Sequence, residues 1–147
     1  LHILKPSISV ADYIKPQLNL SHELGYFTTI TLGTPSQHFS VMLDISASDI
    51  FVRDYHSASS STHCPNDTSV SVGYGSFFTS GSLSEDVLRM GSLEIGRQLF
   101  QEANTATFPE ELLNSLKLIR GVLGLAPSIL GSAYNSPNPS NTQSRGI

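Results

Sequence analysis

The sequence predicts an all-β fold built as one domain, and three observations carry that prediction. Apolar residues make up 39% and charged residues only 14% of the 147 residues, a balance suited to a folded, β-rich chain with a sizeable core. Short β-branched and aromatic runs recur along the chain, each closed by Gly, Pro, Ser or Asn punctuation. One stretch alone carries helix-start chemistry.

Taken in order, "YFTTITL" at 26–32 is aromatic and β-branched and stops at the turn signal "GTPSQ". "HFSVML" at 38–43 follows as the second arm of a hairpin and delivers the chain to Asp44. "DIFV" at 49–52 reads as a short strand, and the Ser-rich residues 53–68 as a polar surface loop, with "SASSSTHC" as its flexible part. "SVSVGYGSFF" and "SGSLSEDVLRM" are expected to be two strands meeting at a tip near Phe77–Ser80. "LEIGRQLFQEA" has strand character around Ile95 and Leu99.

The expected short helix begins at Pro109, whose fixed φ suits the first helical position. Glu110 and Glu111 complement the positive helix N-terminus, and Leu112, Leu113 and Leu116 form an apolar stripe. "GVLGLA" at 121–126 reads as a buried strand edged by glycines. From Pro127 the chain is turn-rich and poor in core residues. The organisation expected is an N-terminal segment over 1–20 lying as an edge strand, a lobe over 21–130, and an irregular or truncated tail over 131–147.

Composition also narrows the partners. A net charge of -4 with no basic stripe disfavours nucleic acid, and no apolar run reaches the length of a membrane span. The five histidines are widely spaced, only His63 and Cys64 being adjacent, so neither a metal site nor any other cofactor is expected. The single cysteine cannot form an internal disulfide. "NLS" at 19–21 and "NDT" at 66–68 match the N-glycosylation acceptor pattern, leaving glycosylation at Asn19 and Asn66 open. The chain does not begin with Met, and a mature chain or fragment without its signal peptide is expected.

The residue that draws attention is Asp44, set between the apolar run "SVML" and the small residues "ISAS". A lone aspartate after a strand is most often a turn or capping residue. The ordered set "YFTTITLGTPSQHFSVMLDISASDIFV", "YGSFFTSGSLSEDVL" and "GVLGLA", however, resembles the N-terminal lobe of pepsin-like aspartic proteases from about Gly25 to Ala126. The resemblance makes Asp44 the counterpart of the first catalytic aspartate, one half of a dyad. It places Tyr74, Gly75, Ser76 and Phe77 in the flap over a substrate cleft, with Phe51 where a Trp is usual. Gly81, Leu83 and Asp86 fall on family-like positions, and Val122-Leu123-Gly124 resembles the strand packed beside the aspartate loop.

The chemistry implied is peptide hydrolysis by two carboxylates that share one proton, one acting as acid and the other as base on a water between them. One carboxylate cannot fill both roles, and the other acidic residues of the chain sit in no second copy of the motif. The active-site loop also departs from the family pattern. Ile45 lacks the hydroxyl usual after the aspartate, Ser46 replaces a glycine, and Ala47 replaces a hydroxyl that holds the carboxylate. The expectation is an aspartic-endopeptidase-family protein that is inactive as an isolated chain. The alternative is an active endopeptidase once a homodimer partner or a C-terminal lobe supplies the second Asp. Its partner would be a peptide or protein, and its location secreted or lysosomal/vacuolar.

Overall fold

The computed structural model describes residues 17–21, 25–74, 77–110 and 117–126. These form one mixed sheet of eight strands: β1 (Asn19–Ser21), β2 (Gly25–Leu32), β3 (Gln37–Asp44), β4 (Ile50–Arg53), β5 (Cys64–Tyr74), β6 (Phe77–Met90), β7 (Leu93–Thr107) and β8 (Gly121–Gly124). Their order across the sheet is β1-β2-β3-β8-β4-β7-β6-β5, and β2 also pairs with β6, which folds the sheet back on itself. The result is the all-β architecture of a single pepsin-like lobe.

Alternation along the strands sorts side chains between two faces. On one face Ile30, Leu32, Phe39, Val41, Ile50, Val52, Leu88, Phe100 and Leu123 form the main core. Tyr55 closes it, its ring 5.1 Å from Phe100 and 6.2 Å from Phe39. The other face carries a smaller cluster of Phe51, Val72 and Val122, with Met42, Ala47, Phe77 and Ala103 packed against it. Central strands therefore bury both faces, as the burial of all four residues of β8 shows.

The predicted strands at 26–32, 38–43, 49–52 and around 95–99 all form; the first two extend by one or two residues, the third is shifted by one to Ile50–Arg53, and the fourth is part of a long strand, Leu93–Thr107. Two expectations change. The hairpin tip is not at Phe77–Ser80: Tyr74 already pairs with Phe77, so Phe77–Ser80 belong to β6. Gly81, on a family-like position along the hairpin, lets β6 and β7 approach, since a Cβ there would lie 1.9 Å from the Glu102 carbonyl oxygen.

The second change concerns the polar stretch 53–68. Arg53 ends β4 and Cys64 begins β5, leaving 54–63 between strands with a 3-10 turn at Ser57–Ser59. That segment is held in place rather than loose, because a buried carboxylate collects its hydroxyls. Asp86, 1% exposed, accepts hydrogen bonds from Tyr55, from Ser60 Oγ at 2.7 Å and from Thr62 Oγ1 at 2.6 Å. The Ser61 N–H adds a bond to the Thr34 carbonyl at 2.8 Å. Most of the helix expected from Pro109, and the tail beyond Ala126, lie outside the described residues. So does the N-terminal segment before Gln17; Asn19–Ser21 pair antiparallel with β2 at the sheet edge.

Candidate functional site

Asp44 is the last residue of β3, at the point where two parallel strands end together. β3 and β8 run in register, Met42 beside Val122 and Asp44 beside Gly124. The chain then turns away after Asp44, which leaves its carboxylate half-buried at the strand end. The Leu125 N–H donates to the Asp44 carbonyl at 2.8 Å, and the Ala126 N–H to the Ala47 carbonyl at 2.9 Å, tying the loop 45–49 to the end of β8.

Gly124 is required by that closeness. A Cβ built there would lie 2.6 Å from both the Ala47 and Asp49 carbonyl oxygens, inside van der Waals contact with backbone that cannot swing aside. The glycine expected to allow close approach does so against the aspartate loop.

The carboxylate is held from one side by one residue. Ser46 donates to Asp44 Oδ1 twice, through its backbone N–H at 2.8 Å and through its hydroxyl at 2.6 Å. This is a local turn in which an aspartate side chain caps the backbone two residues on. The hydroxyl missing at Ala47 is thus matched by one at Ser46, a position earlier, and the Ser46 N–H still reaches the carboxylate despite the added side chain. Ile45 is 84% exposed and contributes no polar atom to the loop. Ser48 is buried, and its hydroxyl has no hydrogen-bond partner among the described residues.

Met42 and Asp44 point to the same sheet face, one pleat or roughly 7 Å apart. A shallow apolar pocket lies at the Met42 level between Phe51, Phe77, Phe108, Ile119 and Val122. Phe77 supplies its roof, with its ring 6.2 Å from Phe51 and 5.2 Å from Phe108. Phe78, next along β6, faces the other way and is 46% exposed, so of the adjacent aromatics only Phe77 packs over this pocket. Arg53 forms one wall: its guanidinium carbon is 5.1 Å from the Phe108 ring centroid, and Nη2 donates to the Ile119 carbonyl at 2.7 Å.

Tyr74 ends β5 opposite Phe77; Gly75 and Ser76, the expected flap tip, lie outside the described residues. Met42, Arg53, Phe108 and Ile119 were not singled out by the sequence reading. The period-2 relation of Met42 to Asp44 was a usable signal for the first, whereas Phe108 and Ile119 reach the pocket only through tertiary packing. Among the described residues no group of three or more His, Cys, Asp or Glu side chains is arranged to hold a metal ion. None of the described helices is long and apolar enough to cross a membrane.

Comparison with known proteins fits this geometry. The family model for eukaryotic aspartyl protease matches residues 25–147. A vacuolar protease A of Neurospora crassa is 37% identical over 113 residues, 68% of this chain and 28% of the relative. A cathepsin D of Dictyostelium discoideum is 34% identical over 116 residues, covering 69% and 30% respectively. A vacuolar aspartic protease of Candida albicans is 33% identical over 135 residues, covering 83% and 32%. The chain thus spans less than a third of the length of these relatives. With a family match over most of its length and a sheet that sets an aspartate loop against a strand-end glycine, the chain belongs to the eukaryotic aspartyl protease family.

Proposed function

We propose that this chain is one lobe of an aspartic endopeptidase and is inactive by itself. Asp44 would supply one carboxylate of the catalytic pair, and the Phe77-roofed pocket would take a side chain of an extended peptide. The observation that carries the reading is the setting of Asp44. It sits at the joint end of β3 and β8 with Oδ1 held by Ser46, and among the described residues no second carboxylate hydrogen-bonds to it. A single carboxylate can be base or acid at a given moment, but water attack on a peptide carbonyl needs both roles together.

A second lobe or a second copy of the chain would complete the pair. In favour of that completion, Ile45 and Leu125, which follow the paired residues Asp44 and Gly124, are 84% and 38% exposed. This end of the sheet therefore presents apolar side chains beside the carboxylate, the kind of surface an adjoining lobe would cover. Once joined, two carboxylates at close range would titrate as a pair. The names of the vacuolar relatives support delivery to a vacuole or lysosome, reached through the secretory route.

The test is an acid-pH cleavage assay on a denatured protein substrate, with the chain alone and with Asp44→Ala, alongside light scattering. No cleavage from a monomer is expected. Cleavage by the isolated monomer that disappears with Asp44→Ala would overturn the inactive reading. Activity of a longer gene product carrying a second Asp-Thr/Ser-Gly, abolished by Asp44→Ala, is the result expected of the complete enzyme.

A further inference from the structure

Two donors converge on a single oxygen of the candidate carboxylate, and both belong to Ser46. Its backbone N–H lies 2.8 Å and its hydroxyl 2.6 Å from Asp44 Oδ1. A carboxylate oxygen offers about two lone-pair sites, so these bonds fill the acceptor capacity of Oδ1. Asp44 Oδ2 receives no hydrogen bond from any described residue. The two oxygens of one carboxylate are therefore unlike.

The loop assigns this task to position 46 and to none of its neighbours. Its backbone is fixed at three carbonyls: the Leu125 N–H donates to Asp44 O, the Ala126 N–H to Ala47 O and the Gly124 N–H to Asp49 O. Ala47 packs against the apolar cluster of Phe51, Val72 and Val122. Ser48 is buried, and its hydroxyl meets no described partner. Ser46 stands exposed on the outer side of the turn. Among the described non-glycine residues only Asp54 and Asp67 have positive φ, so the backbone at 46 accepts a side chain without left-handed strain.

We propose that Ser46 is a positioning residue for Asp44, which fixes Oδ1 as an acceptor and leaves Oδ2 to carry the proton shared with the second carboxylate. A proton on Oδ1 would confront two donor hydrogens, whereas on Oδ2 it meets none. Two bonds to one oxygen also hold the carboxylate plane in one orientation about χ2, a torsion that is broad in an unheld Asp. Catalytic groups need such locking, because small errors of orientation cost rate. The hydroxyl of Ser46 thus does, one position early, the work that Ala47 cannot do.

The proposal rests on the endopeptidase reading above, and the experiment has two arms that separate them. In the chain alone, three-bond NMR couplings from Asp44 Cγ to its own backbone N and carbonyl carbon report the side-chain rotamer. A single rotamer is expected in the wild type and in Ser46→Thr, and averaging among rotamers in Ser46→Ala, which keeps only the N–H bond. An averaged wild type, or an unchanged Ser46→Ala, overturns the proposal. In the longer gene product carrying a second Asp-Thr/Ser-Gly, Ser46→Ala should lower kcat about tenfold, the worth of one hydrogen bond to a charged group. KM should stay unchanged, and Ser46→Thr should recover the rate. A full kcat in Ser46→Ala, or a rise in KM alone, overturns the positioning role. A longer product with no Asp44-dependent cleavage, together with the expected rotamers, refutes the endopeptidase reading and leaves the hold of Ser46 on Asp44 supported.

Discussion

At Gly124 the candidate site tolerates no side chain, and the reason is backbone rather than chemistry. The Ala47 and Asp49 carbonyls both lie 2.6 Å from where a Cβ would be. They belong to the loop that turns away from Asp44, so any relief must move that loop. Gly124→Ala should therefore destabilise the lobe by about 1–3 kcal/mol, as overpacking of a tight interior does. Urea unfolding would show a lowered midpoint with an unchanged slope. Ser46 shows the opposite kind of residue-level effect. Its exposed hydroxyl reaches Asp44 Oδ1 at 2.6 Å, yet sequence pattern alone recorded only a lost glycine and displaced hydroxyls. Register along the loop, not residue type, decided which hydroxyl reaches the carboxylate.

Among the elements, the β5–β6 hairpin shows how far pattern reading reaches. Both strands were legible from their alternation and flanking glycines. The tip was misplaced because Phe77-Phe78-Thr79-Ser80 mixes aromatic and turn-forming residues, while the pairing of Tyr74 with Phe77 is set by the register of the whole hairpin. That register turns Phe77 inward over Phe51 and Phe108, and Phe78 outward. Phe77→Ala should consequently cost about 1–2 kcal/mol, less than full burial of a Phe would imply. Amide exchange should accelerate in the outer halves of β5 and β6. Phe78→Ala should leave stability within about 0.5 kcal/mol. Equal effects of the two substitutions would contradict the assigned faces.

The whole lobe is tied together on the other side of the sheet by Asp86. Burial pushes its carboxyl up, but hydrogen bonds from Thr62, Tyr55, Ser60 and the Val87 N–H outweigh that and hold it below the ordinary carboxylate value. Burial, and after it the bond to Asp86, push the Tyr55 phenol above its usual range. A carboxyl with a lowered folded-state value stabilises the fold fully above its unfolded value, about 3.9. That stability is lost as pH falls from there through the folded value. The lobe should thus keep this contribution at mildly acidic pH and lose it in strong acid. Asp86→Asn should cost on the order of 2 kcal/mol near pH 6 and flatten the acid limb of the stability curve. Unfolding measured from pH 6 to pH 2 checks this, and an unchanged acid limb would contradict it.

Alternating β-branched runs, turn punctuation and the Asp44 setting were enough to determine an all-β chain with the stamp of an aspartic protease lobe. These are local signals: strand period, glycine and proline placement, and a short motif each lie within a few residues. The partners of Asp86, the pocket wall at Arg53 and the roof at Phe77 were decided only by tertiary structure. Each joins segments separated by tens of residues, such as Arg53 to Ile119 and Ser60 to Asp86. No local period encodes such meetings; they follow from the sheet order that brings β4, β6, β7 and β8 together.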